Sequence, residues 1–255
     1  MKSADGVEIS FERSGTGSTA LVFVHGWLGS GRWWDAQRDA FSSKFSVVTI
    51  DLASHGASGR DRKAHSVAAY AADIVAVVKA LDAERVVLIG HSMSGAHALH
   101  AALQLPKLSA LVLVDTLKNV EQQLPAAQVN EMLGLYRRDF KAAVENVLPR
   151  FLFAAGTPPA VKQRLTREFL TRTGEEGAAL LEPLYRHDIA ADADRLKVPV
   201  RAINSDAQPT AIEANRRHFS DFDVKIIPGV GHYPMLEDPQ AFNTALSEIL
   251  RELKV

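Results

Sequence analysis

The 255-residue chain contains no cysteine. That excludes a disulfide framework, a zinc–thiolate site and a cysteine nucleophile. No apolar run approaches the ~18 residues of a membrane span, and the opening "MKSADGVEIS" has no apolar signal core. A cytoplasmic protein without membrane attachment is therefore expected. An excess of one charge is missing too. The chain has 29 Lys and Arg against 30 Asp and Glu, a formal net charge of -1, and no long run of either sign. Nucleic acid and anionic lipid are therefore not expected as partners. There is no internal repeat and no low-complexity tract. What remains is an ordinary soluble composition, 47% hydrophobic and 23% charged. The length suits one α/β domain, or such a domain carrying an insertion.

Short apolar runs recur along the chain: Leu21 to Val24, Val47 to Ile50, Val86 to Ile89, Leu111 to Val114, Val200 to Ile203 and Val224 to Ile227. They are continuous rather than alternating, as strands are when both faces of a parallel sheet are covered. "VEISFERSG" does alternate, which suits an antiparallel edge strand. Helical stripes fall between the runs. Tyr70, Ile74, Val77, Val78 and Leu81 form one; Phe242, Leu246, Ile249, Leu250 and Leu253 form another, opened by Asp238 and Pro239 as cap and first residue. Strand and helix in alternation predict a doubly wound, mostly parallel α/β sheet.

One region breaks this rhythm. Between Thr116 and His187 only helical periods occur, with stripes at Val129, Met132, Leu133 and Tyr136, and at Phe140, Val144, Val147, Leu148 and Phe151. "GTPPAVKQRL" and "EEGAALLEPLY" predict two further helices. A helical cap over residues 117–187 is expected, inserted into a core of residues 1–116 and 188–255.

The chemistry-bearing stretch is "VVLIGHSMSGAHAL". Ser92 falls where a strand becomes a helix, with Gly90 and Ser94 two residues away on either side. A nucleophile on such a corner needs small neighbours and gains the free N–H groups of the helix start. Ser94 is flanked by small residues as well, but it sits two residues into the helix, where a side chain lies along the helix surface. A serine hydroxyl also needs a base. His91, His97 and His100 share its strand–turn–helix unit. The last two lie at helical spacing but have no acidic ligand beside them, so they read as packed helix histidines rather than a metal pair. His232, in "IIPGVGHYPMLEDP", follows the last strand in a glycine-rich loop that can present its ring at the sheet edge. A carboxylate to orient that ring comes from Asp206 after the strand Val200 to Ile203, or from Asp115 at the end of "LVLVD". "HGWLGS" after the first parallel strand can add a backbone N–H for a developing oxyanion, together with the N–H just after the nucleophile. "GTGSTA" precedes a strand instead of linking strand to helix, so it is a turn and not a dinucleotide loop. Trp33 and Trp34 read as helix-to-sheet packing.

On "HGW", "DLASHGAS", "GHSMSG", "NSDAQPT" and "GVGHYPMLEDP", the chain resembles the α/β-hydrolase superfamily over nearly its whole length. It departs at Ser54 and Ser94, where glycine is usual. The resemblance implies Ser92 as nucleophile, His232 as base and then acid, Asp206 as orienting acid, and the N–H groups of Trp27 and Met93 as oxyanion hole. The order Ser, Asp, His along the chain is the one found in that fold. It further implies a small-molecule ester as substrate, an acyl-enzyme intermediate, and no metal or organic cofactor. In the cap, Leu133, Tyr136, Phe140, Val144 and Val147 are expected to line the acyl pocket, which favours short to medium apolar acyl groups. The fold also hosts cofactor-free perhydrolases resembling haloperoxidases, and receptor-like binding modules that keep the triad.

Overall fold

The continuous apolar runs hydrogen-bond into one seven-stranded sheet in the computed structural model, which describes residues 1–255. The strands are β1 (Phe11–Ser14), β2 (Thr19–Val24), β3 (Ser46–Ile50), β4 (Arg85–His91), β5 (Leu108–Val114), β6 (Val200–Ser205) and β7 (Phe222–Ile227). Their order across the sheet is β1-β3-β2-β4-β5-β6-β7. Every pair is parallel except β1 with β3. β2 and β3 are buried along their full length, which accounts for apolar side chains on both of their faces.

Helices α1 (Asp35–Phe41), α2 (Val67–Lys79) and α3 (Ser94–Ala102) connect the first five strands. Between β5 and β6 the chain forms helices and no strand: α4 (Ala126–Arg138), α5 (Phe140–Ala142), α6 (Pro149–Leu152), α7 (Pro159–Phe169), α8 (Gly174–Tyr185) and α9 (Ile189–Arg195). The stripe expected from Phe140 to Phe151 is broken by a wide π-type turn over Ala143–Val147. The last of these helices, α9, lies beyond His187, so helix extends past the boundary read from the sequence. Finally α10 (Ile212–His218) joins β6 to β7, and α11 (Pro234–Glu237) and α12 (Pro239–Glu252) close the chain. Asp238 caps α12 by accepting the Ala241 N–H at 2.9 Å. α2 packs on α3, and α1 on α11 and α12. No helix is long and apolar enough to cross a membrane.

The register matters for the site. His91 of β4 pairs with Val114 of β5, and Val114 in turn pairs with Ile203 of β6. The Ser92 N–H donates to Val114 O and the Asp115 N–H to Ile203 O, each at 3.0 Å. The residues that leave β4, β5 and β6 therefore stand side by side at the carboxyl edge of the sheet, where doubly wound folds bind ligands.

Candidate active site

Ser92 is the first residue past β4 and has φ +53°, a left-handed conformation that a side chain adopts at a cost. The turn is tight. A Cβ added at Gly90 would lie 2.6 Å from Ser94 O and 2.8 Å from the Ala98 side chain. Thr116 Oγ1 donates to Ser92 O at 2.7 Å and fixes the corner from the next loop. Ser94 is fully buried, and its hydroxyl donates to the His25 carbonyl. A serine at this position thus ties the first turn of α3 to the "HGW" loop, which a glycine cannot do. Gly90→Ala is expected to push α3 off β4. It should lower kcat by roughly 100-fold, as sub-ångström misplacement of reacting groups does, and stability by ~1–3 kcal/mol through overpacking. Steady-state kinetics and urea denaturation check both; a variant with unaltered kcat would mean the corner tolerates that shift.

His232 stands between Ser92 and an aspartate. Its Nε2 is 2.7 Å from Ser92 Oγ, and its Nδ1 is 2.7 Å from Asp115 Oδ2. The aspartate is Asp115 and not Asp206. Asp206 is exposed, and its Oδ1 accepts the Gly229 N–H at 3.0 Å, so it braces the turn after β7. Asp115 is 6% exposed and directly follows β5, the strand beside β4. Its other oxygen, Oδ1, accepts from Ser205 N at 2.7 Å and Ser205 Oγ at 2.8 Å, and lies 2.9 Å from Lys118 Nζ. Burial raises the pKa of this carboxyl, but the His232 ring and the Lys118 ammonium outweigh it. Together they hold Asp115 well below the usual carboxylate range. Asp115 and Leu117 also have positive φ, +44° and +46°, where the chain turns sharply out of β5.

The "HGW" loop runs against Ser92. A Cβ at Gly26 would lie 3.0 Å from Ser92 Cβ, so only glycine fits there. The His25 ring holds the loop down: Nε2 accepts the Leu52 N–H at 3.1 Å, and Nδ1 donates to Gly26 O at 2.7 Å. Neither the Trp27 nor the Met93 backbone N–H donates to an acceptor within the protein. The Trp27 indole donates to Gly177 O of α8 at 2.9 Å, and its ring stacks on Tyr136 of α4 at 5.4 Å. In the "DLASHGAS" turn, Ser54 has φ +66°, the conformation that explains why glycine is usual there.

His91 and His97 are fully buried, and burial pushes both down to about 3, so both rings are neutral. His91 Nε2 donates to His232 O at 2.8 Å, which makes it a support for the His232 backbone. His97 stacks on Tyr70 at 4.6 Å. Trp33 and Trp34 are buried as packing residues. The support that sequence reading missed is Glu237. Its carboxylate accepts Gly231 N at 2.8 Å, Tyr233 N at 3.0 Å and the Thr157 hydroxyl, fixing the loop on both sides of His232. The acidic residue in "HYPMLEDP" a few positions after the histidine was the only available signal.

Above Ser92 and His232 lies a cavity of about 640 Å³ walled mainly by apolar side chains, among them Met132, Leu135, Tyr136, Val147, Leu181 and Tyr185. Of the pocket residues expected from sequence, Tyr136 and Val147 line it; Leu133, Phe140 and Val144 do not. On α4 the cavity is lined by Gln128, Glu131, Met132, Leu135, Tyr136 and Arg138. Val129 and Leu133, one position round, are buried on the face that packs the inserted helices together. The most apolar stripe of a helix goes to the core and the adjacent one to the cavity. A second cavity of about 440 Å³, more polar, borders Asp115, Lys118, Gln208 and the other side of His232.

A family model described as the alpha/beta hydrolase family matches residues 21–245. A protein of Caulobacter sp. (strain K31), provisionally named carbamate hydrolase RutD, is 29% identical over 241 residues, covering 90% of each chain. The non-heme chloroperoxidase of Burkholderia pyrrocinia is 43% identical over 93 residues, 36% of this chain and 34% of that one. Among solved structures, a thermophilic esterase from Thermogutta terrifontis superposes with a TM-score of 0.84 at 25% identity, covering 99% of this chain and 97% of the other.

Proposed function

Since the chain belongs to the alpha/beta hydrolase family, we propose that it is a serine hydrolase cleaving carboxylic esters of short to medium apolar acyl groups. The observation that carries this reading is the His232 ring, held at 2.7 Å from both Ser92 Oγ and Asp115 Oδ2. Asp115 keeps the Nδ1 proton in place, so Nε2 offers its lone pair to the Ser92 hydroxyl. Ser92 Oγ attacks the ester carbonyl while its proton passes to Nε2. The carbonyl oxygen becomes an oxyanion that the free N–H groups of Trp27 and Met93 stabilise. The imidazolium returns the proton to the leaving alcohol, and water repeats both steps to free the acid.

The inserted helices act as the cap. Their apolar cavity favours an uncharged acyl chain, because a buried unpaired charge is costly. In a series of p-nitrophenyl esters, kcat/KM is expected to peak at short to medium acyl lengths and fall for long chains. Leu135→Ala, which enlarges the cavity, should move the peak to longer chains. A peak at long or charged acyl groups, or an unmoved profile in folded Leu135→Ala, contradicts the pocket assignment.

The local identity to a chloroperoxidase supports a second reading, in which peroxide replaces water in the second half-reaction. Assaying halide oxidation with acetate and peroxide, beside ester hydrolysis, separates the two. A binding module of this fold has no need of the Ser92–His232–Asp115 relay, and inert protein in both assays would favour it.

A further inference from the structure

Three side chains distant in sequence meet where the inserted helices rejoin the core. His100 lies in the last turn of α3, His187 just after α8, and Asp192 in α9. His100 Nδ1 is 2.7 Å and His187 Nε2 2.6 Å from the same oxygen, Oδ2 of Asp192. The two rings stand nearly perpendicular, at 86° with centroids 5.3 Å apart, and turn their nitrogen-bearing edges to that one point. The three ligand atoms all lie within 4.8 Å of one another. From this geometry we infer that His100, His187 and Asp192 form a binding site for a divalent transition metal, of which Zn²⁺ is the natural probe.

Three features support it. First, the Asp192 side chain is only 6% exposed, yet its one ion pair with a permanent cation is long and solvated, Arg195 Nη1 lying 3.6 Å from Oδ1 on a side chain that is 67% exposed. Buried carboxylates are paired with charge or bind metal, and here hydrogen-bonding imidazoles stand in for that charge. Second, the donor set is two imidazole nitrogens and a carboxylate oxygen, which suits Zn²⁺ at bond lengths of ~2.0–2.2 Å with a fourth position for water. Third, the switch exchanges the two imidazole N–H bonds to Asp192 for bonds to the metal and breaks no other protein hydrogen bond. Each ring moves its proton to its other nitrogen, which has no partner in the protein, and the freed lone pair turns to the metal. The carboxylate needs no proton loss. His97 and His100 gave no metal pair in the sequence for want of an acidic neighbour, and the fold supplies that neighbour from α9.

The site links the end of α8 to α3, the helix that starts beside Ser92, and His187 also borders the polar cavity at Asp115. A bound metal therefore fastens the root of the inserted helices to the core. It stands apart from the chemistry proposed at Ser92 and does not depend on it.

The test is a Zn²⁺ titration of the chelator-treated full chain against a chromophoric zinc indicator, with thermal melts in parallel. One equivalent should bind, and Tm should rise by about 5 °C at a hundredfold excess over Kd. His100→Gln and His187→Gln, which each keep an N–H donor toward Asp192, should each weaken binding at least roughly 100-fold, since even outer partners of a ligand are worth 10–100-fold. His218→Ala, at the separate exposed contact with Asp194 and Glu121, should leave binding unchanged. X-ray absorption of the loaded wild type, which depends on no variant, should show two imidazoles per zinc. No binding, binding unaffected by either His→Gln change, loss in His218→Ala, or a spectrum without two imidazoles would overturn the site.

Discussion

Ser92→Ala is expected to lower kcat for ester hydrolysis by about 10⁶-fold, the loss seen when the nucleophile of a serine–histidine–aspartate unit is removed. The reason lies in the turn. Ser92 alone combines the positive φ, the half-buried corner and a hydroxyl 2.7 Å from His232 Nε2. Ser94 is two residues on and equally polar, but its hydroxyl is spent on the His25 carbonyl inside the protein. Ser94→Ala should therefore keep kcat within about tenfold and show its effect in stability, ~1 kcal/mol for a lost buried hydrogen bond. Kinetics on one activated ester, with urea denaturation of each variant, separates the two serines. Comparable kcat losses in both variants would mean that Ser94 shares the chemistry.

Asp115→Asn should cost about 10⁴-fold in kcat, the magnitude found when the orienting aspartate of a serine protease is made neutral. The amide keeps the shape but cannot both accept the Nδ1 proton and stabilise the imidazolium. It would also face Ser205 and Lys118 with one acceptor oxygen where the carboxylate has two. Asp206→Asn should stay within a few-fold, because Asp206 holds the Gly229 turn and not the ring. KM should change little in either variant, since neither carboxylate lines the 640 Å³ cavity. The reverse pattern, with Asp206→Asn crippled and Asp115→Asn active, would restore the acid expected from family resemblance.

That pair of aspartates shows where sequence reading stops. β5 and β6 are neighbours, both end at the same edge, and both run into an aspartate within a few residues. Spacing cannot say which carboxylate turns inward. Burial can, and burial depends on Leu117 turning through positive φ and on Ser205 closing over Asp115. The inner strands and the edge assignment of β1 were legible because side-chain periodicity records which faces are covered, whereas the continuous run of β7 belongs to an edge strand that leaves Ile226 exposed. Ser92 and His232 were legible because a strand-to-helix corner and a glycine-rich loop are local features. The pocket was readable only to within one helical position: Leu133 and Leu135 are equally apolar, and packing among the inserted helices decides which one faces the cavity. Asp192 acts through contacts made across the fold, and no local pattern marks it, whereas Glu237 had only its closeness to His232 in the sequence as a signal.

The central claim, that Ser92 carries the acyl group under the direction of His232 and Asp115, is tested most directly by covalent trapping. The chain is incubated with a p-nitrophenyl phosphonate and mapped by peptide mass spectrometry, alongside Asp115→Asn and Asp206→Asn. The expected result is a single adduct on Ser92, formed at the wild-type rate in Asp206→Asn and far more slowly in Asp115→Asn. An adduct on Ser94, or ester turnover with no adduct on Ser92, would contradict it.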